Sequence, residues 1–134
     1  MLLLHHMTSV KVAIVEDEIA IRRLYETKFR LEGFTVSTAQ DGAEGYRLLK
    51  NEQPDIVLLD LRMPGMQGEE LLAKIRSQDW GASMRVIILT NLSRDEAPSS
   101  LRFLHVDRYI VKAHYTPSQV VDVVREVLRL PKQT

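Results

Sequence analysis

The stretch Asp55-Ile56-Val57-Leu58-Leu59-Asp60 decides the reading of this chain. Asp55 to Leu59 is a short aliphatic run, the pattern of a strand covered on both faces, and it stops at a carboxylate. Pro54 restarts the chain before it, and Met63-Pro64-Gly65 forces a loop after it. Upstream, Val10 to Val15 is a second run of this kind, followed by Glu16-Asp17-Glu18. Asp17 and Glu18 open a helical stretch in which Ile21, Leu24, Tyr25 and Phe29 share one face, and Gly33 stands where a helix ends. Phe34 to Thr38 reads as a strand, and Ala43 to Lys50, after the Asp41-Gly42 turn, as a helix. Downstream, Leu71, Leu72 and Ile75 mark a helix. Arg85 to Leu89 is a strand ending at Thr90, and Leu101 with Leu104 suggests a fourth helix. Arg108 to Val111 is a strand ending at Lys112. Pro117 begins a last helix carrying Val120, Val124, Val127 and Leu128.

Strand and helix alternate five times. This predicts an α/β fold, a doubly wound five-stranded parallel sheet with five helices. The chain has 134 residues, which is one domain's worth. Residues 10–130 form that domain, residues 131–134 a tail, and residues 1–9 an extension outside the fold. The start, Met1 to Met7 (MLLLHHM), is read either as a natural extension or as a cloning remnant with Met7 as the true start. Three leucines are far fewer than the roughly 20 apolar residues that span a bilayer, and His5 and His6 read as solvated side chains. Lys plus Arg and Asp plus Glu each number 18, so the net charge is zero, without the basic excess of a dedicated nucleic-acid binder. With no cysteine, disulfides, thiolate metal sites and thiol nucleophiles are excluded.

In open parallel sheets, ligands bind beyond the carboxyl ends of the strands. Those ends carry Glu16, Asp17 and Glu18, then Asp60, Thr90 with Asn91, and Lys112. Each residue has an ordinary reading alone: acids in a helix's first turn, a loop acid, a helix cap, a surface lysine. Together at the strand ends they describe a site. Clustered carboxylates need a cation, and an oxygen-only donor set suits Mg²⁺. Mg²⁺, a hydroxyl and an ammonium around a carboxylate suit a phosphoryl group, with the carboxylate as nucleophile.

At these residues the sequence resembles the receiver domain of bacterial two-component response regulators. The matching stretches are Val12 to Glu18 (VAIVEDE), Asp55 to Gly68 (DIVLLDLRMPGMQG), Val86 to Ser93 (VIILTNLS) and Tyr109 to Lys112 (YIVK). The resemblance implies a flavodoxin-like fold with strand order 2-1-3-4-5. It implies Asp60 as phosphoacceptor, served by the phosphohistidine of a sensor histidine kinase or a phosphotransfer protein. Glu16, Asp17 and Asp60 would hold Mg²⁺ with the backbone carbonyl of Arg62. Thr90 would be the switch hydroxyl, Lys112 the site lysine and Tyr109 the switch aromatic. Tyr109 also reads as an ordinary strand aromatic packed on the last helix.

The resemblance further implies a cytoplasmic protein, an output protein or fused output domain, and a phosphorylation-dependent homodimer. It implies neither membrane insertion nor direct nucleic-acid contact, and no enzyme in the turnover sense. Arg102, His105, Arg108 and Tyr109 lie on or near the family's usual output face.

Five positions depart from the family pattern. Glu16 replaces the commoner aspartate. His105-Val106 replace Gly-Ala, which predicts a strained or reshaped turn. Ala113 replaces a proline and predicts a trans bond. Ser93 to Glu96 reads as a capping box, but Pro98 would lie in the second turn of a helix begun there, so the fourth helix is expected to start late, with Pro98 in its first turn. Trp80 is expected to fold back on its own loop.

Three competing readings remain at this level. A degenerate receiver would bind partners without phosphorylation. A flavodoxin needs a phosphate-cradling loop after the first strand, where this chain is acidic. A haloacid-dehalogenase-type hydrolase needs its Asp-x-Asp nucleophile there, not after the third strand.

Overall fold

In the computed structural model, which describes residues 9–131, Ile56–Leu59 is the central strand β3 and all four side chains are buried. The other strands are β1 (Lys11–Val15), β2 (Thr35–Ala39), β4 (Arg85–Thr90) and β5 (Arg108–Val111). They form one sheet in the order 2-1-3-4-5, every pairing parallel. Four α-helices cover it: α1 (Ile19–Leu31), α2 (Gly42–Glu52), α3 (Gly68–Arg76) and α4 (Pro117–Leu128). Alternation along each strand divides the core in two. Val12 and Ile14 pack with Tyr25 and Phe29 of α1 and the valines of α4. Ala13 and Val15 pack with Leu49 of α2 and Leu71, Leu72 and Ile75 of α3. This is the doubly wound arrangement the continuous apolar strands require.

The expectation of five helices is corrected to four α-helices among the described residues. Between β4 and β5 the chain forms two short 3₁₀ turns, Arg94–Glu96 and Ser99–Phe103. Ser93 does open a capping box: its Oγ accepts from Glu96 N–H at 3.3 Å, and its own N–H donates to Glu96 Oε1 at 2.9 Å. Pro98 ends what the box begins. The residue before a proline is driven out of the helical region, and Ala97 is extended at φ −71°, ψ 148°. Pro98 therefore stands just ahead of the second turn, not inside the first turn of a late helix. The turn after that segment is carried by His105 at φ +54°, left-handed without the help of a glycine. The side chain of Arg76, at the end of α3, donates to the carbonyls of Leu104 and His105, each at 2.8 Å, and holds that turn.

Three smaller findings adjust the reading. Helix α1 starts after the acidic stretch, with Glu18 as its N-cap, so Asp17 lies in the loop. Trp80 reaches beyond its own loop and packs onto Tyr46 of α2, edge to face at 5.7 Å. No peptide bond among the described residues is cis, so Lys112-Ala113 is trans. Residues 1–8, with His5 and His6, and residues 132–134 of the tail lie outside the described residues. Among the described residues no helix is long and apolar enough to cross a membrane.

Candidate functional site

The parallel register sets the site. Val15 pairs with Leu59, so Glu16 and Asp60 leave β1 and β3 side by side. The backbone ladder runs one residue further on each strand. Glu16 N–H donates to Ala39 O at 3.0 Å, and Asp60 N–H donates to Val15 O at 3.1 Å. Both acids are thereby fixed before their side chains do anything. Thr90 ends β4 and Lys112 follows β5, so four strand ends deliver polar groups to one edge.

Glu16, Asp60 and Thr90 are buried and Asp17 is half-buried. One carboxylate oxygen from each of Glu16, Asp17 and Asp60 lies within 4.8 Å of the others. Lys112 Nζ bridges two of them, 2.5 Å from Glu16 Oε1 and 3.2 Å from Asp60 Oδ2. The other oxygens are also engaged: Glu16 Oε2 accepts from Glu18 N–H at 3.0 Å, and Asp60 Oδ1 from Arg62 N–H at 3.3 Å. Thr90 Oγ1 accepts from Leu92 N–H at 3.4 Å. Asp17, Asp60, Arg62, Thr90 and Lys112 line a cavity of about 390 Å³.

Burial is the main force on Glu16 and raises its pKa; the hydrogen bond from Lys112 works against it. Burial alone would lower the pKa of Lys112, but the hydrogen bond to Glu16 and the charges of Asp60 and Glu16 outweigh it and raise it, keeping the lysine a cation. Three carboxylates then face one ammonium, an excess of two negative charges. An oxygen-only donor set with that excess fits a hard divalent ion such as Mg²⁺.

Tyr109 packs against the core on the α2/α3 side, with Leu101 and Leu104, and not on the last helix. Its hydroxyl lies 2.8 Å from the carbonyl of Leu92 and 3.2 Å from that of Ser93. The guanidinium of Arg94 lies over its ring at 5.7 Å.

Three contributors leave little trace in the sequence. Arg22 of α1 donates to the carbonyls of Glu16 and Asp17, at 2.8 and 3.2 Å, and pins the acidic loop. Glu96 joins the wall of the cavity because the chain there makes a tight 3₁₀ turn. Gly68 begins α3 so close to β3 that a Cβ at this position would lie 2.2 Å from the carbonyl oxygen of Asp60.

A flavodoxin-like sheet of this order with such a site at its carboxyl edge defines the receiver class. Residues 12–125 match the response regulator receiver domain, and the chain belongs to that family. The probable transcriptional regulator ycf27 of Porphyridium aerugineum is 34% identical over 123 residues, 92% of this chain and 50% of that protein. The phosphate regulon transcriptional regulatory protein PhoB of Rhizobium meliloti (strain 1021) is 35% identical over 124 residues, 91% of this chain and 53% of that protein. The chain thus spans about half the length of these regulators. Among solved structures, chemotaxis protein CheY4 of Vibrio cholerae superposes with a TM-score of 0.83 at 25% identity, over 90% of this chain and 99% of that one.

Proposed function

We propose that Asp60 takes a phosphoryl group from the phosphohistidine of a sensor kinase or phosphotransfer protein. An oxygen of its carboxylate attacks phosphorus, and the P–N bond breaks with its electron pair returning to the imidazole. Lys112, 3.2 Å from Asp60, orients the carboxylate and offsets the negative charge of the incoming group. The Thr90 hydroxyl, on the wall of the same cavity, donates to a phosphoryl oxygen. Glu16, Asp17, Asp60 and the carbonyl of Arg62 would hold Mg²⁺, which when bound neutralises charge on the phosphoryl oxygens. The contact that carries this reading is Lys112 between Glu16 and Asp60. It supports a phosphoacceptor over a degenerate receiver, since every reacting group is present and held.

Thr90 and Tyr109 form the switch. The Tyr109 hydroxyl is tied to backbone two and three residues past Thr90, so a shift of Thr90 toward the phosphoryl group moves the ring. The face bearing Arg102, His105, Arg108 and Tyr109 then changes its affinity for an output protein, an output domain or a second copy of the chain. The domain promotes its own phosphorylation and dephosphorylation without turning over a substrate. It acts in the cytoplasm, through protein contacts and not nucleic acid. The test is intact mass after incubation with acetyl phosphate. A single phosphoryl adduct that needs Mg²⁺ and is absent from Asp60→Asn is expected. No adduct on the folded parent protein would remove the reading.

A further inference from the structure

We propose that Glu96 is a specificity-determining residue of the phosphoacceptor cavity: its fixed charge slows small dianionic phosphodonors, such as free acyl phosphates, relative to a protein donor. This rests on the reading of Asp60 as phosphoacceptor, and adds which donors reach it. Glu96 stands in the wall of the cavity that Asp60, Thr90 and Lys112 also line.

The charges of the cavity fall into an inner and an outer set. Glu16, Asp17 and Asp60 set three negative charges against the one positive charge of Lys112. A divalent ion brings this inner set to zero. Glu18, Arg62 and Glu96 remain in the outer wall, one cation between two anions. The two anions are not equivalent. Glu18 is exposed and, among the described residues, hydrogen-bonded through its backbone alone, so its carboxylate can turn into solvent. Glu96 is exposed too, but it is held. Its Oε1 accepts from Ser93 N–H at 2.9 Å, and its own N–H donates to Ser93 Oγ at 3.3 Å. Hydrogen bonds to the Ser93 backbone first, and to its side chain second, hold the Glu96 carboxyl below the usual carboxylate range, so it is an anion at neutral pH. The turn that carries it stops one residue later, where Ala97 is extended ahead of Pro98. Arg62 has no carboxylate within 4.0 Å among the described residues, so it forms no ion pair with Glu96, and each acts on an incoming anion from its own side. A dianion entering this mouth meets a negative charge that cannot move aside. A donor protein can set a basic side chain against Glu96; a free acyl phosphate cannot.

The test uses the full chain and Glu96→Gln, which removes the charge but keeps an oxygen to accept from Ser93 N–H, so the turn is retained. Phosphorylation rates are read by intact mass at neutral pH with acetyl phosphate, a dianion, and phosphoramidate, a net monoanion. Coulomb energy is linear in charge, so the factor gained by the dianion is the square of that gained by the monoanion. Glu96→Gln is expected to react about fourfold faster than the parent with acetyl phosphate and about twofold faster with phosphoramidate, both gains shrinking as salt is raised. A turn that had merely shifted would change both donors alike and ignore salt. Glu52→Gln, the same charge change at the far end of α2, is expected to match the parent with both donors. A second arm needs no phosphoryl transfer. Sulfate, a dianion shaped like a phosphoryl group, is titrated into isotope-labelled Asp60→Asn with Mg²⁺ and followed at the amide signals of Thr90 and Lys112. Adding Glu96→Gln is expected to tighten sulfate about fourfold. Equal rates in parent and Glu96→Gln, equal gains with the two donors, gains indifferent to salt, or unchanged sulfate affinity would each overturn the proposal. No adduct on any of the proteins, with sulfate still tightened, would count against Asp60 as acceptor and for Glu96, so the two failures give different results.

Discussion

At the scale of single residues, Asp60 owes its position to backbone bonds and to a missing side chain. Its N–H is tied to β1, its Oδ1 accepts from Arg62, and Gly68 lets α3 begin against its carbonyl. Gly68→Ala would place Cβ 2.2 Å from that oxygen and 2.8 Å from the Cα of Leu61. Backbone cannot yield as a side-chain tip can. The variant should lose about 1–3 kcal/mol in urea unfolding and be phosphorylated more slowly. Lys112 makes a second case. Its removal leaves Glu16 and Asp60, both buried, facing each other without a cation. Lys112→Ala should cost about 3 kcal/mol in metal-free buffer, with part of the loss recovered on adding Mg²⁺. An unfolding midpoint equal to the parent's would contradict the bridging role. The clustering of Glu16, Asp17, Asp60, Thr90 and Lys112 was legible because strand ends are marked by where apolar runs stop. Gly68 and Arg22 were not. They act on backbone atoms, and such contacts leave no periodic pattern.

At the scale of elements, legibility followed the strength of the local signal. β5 runs over Arg108–Val111 and α4 starts at Pro117, both as the pattern indicates. Pro117 at the first helical position and the Thr116 cap, which accepts from Gln119 N–H at 3.2 Å, are unambiguous local chemistry. The segment between β4 and β5 was misread. Leu101 and Leu104 are three apart, a spacing that serves a 3₁₀ turn as well as an α-helix. Pro98 decides between them through the extended backbone it imposes on Ala97. Pro98→Ala should therefore let residues 94–103 join into longer helix, seen as a gain of far-ultraviolet helical signal; an unchanged spectrum would place the cause elsewhere. The turn at His105 was foreseen as unusual, but its support was not. Arg76 is 28 residues from Leu104 in sequence, and no local rule connects them.

At the scale of the whole molecule, another ion pair ties α4 to the end of α1. Arg125, buried on α4, lies 3.0 Å from Glu32 at the end of α1 and 5.5 Å over the ring of Phe34. Lys28 adds a further contact to Glu32 at 3.1 Å. Arg125 first, and Lys28 second, hold the Glu32 carboxyl below the usual carboxylate range. Its folded pKa is depressed, so its contribution is complete above the ordinary value and is lost as pH falls through the folded one. Glu32→Gln should lower stability near neutral pH and flatten the acid side of the stability–pH curve; parallel curves for the two proteins would contradict this.

The central claim is that this sheet edge exists to carry phosphate on Asp60. Borohydride reduces an acyl phosphate to an alcohol, so a phosphorylated aspartate becomes homoserine. The most direct measurement is therefore tandem mass spectrometry of the protein trapped with borohydride after exposure to Mg²⁺ and acetyl phosphate. Homoserine at position 60 and at no other acid is the predicted result. Modification at Asp17 or another carboxylate, or none on a folded protein, would contradict the account.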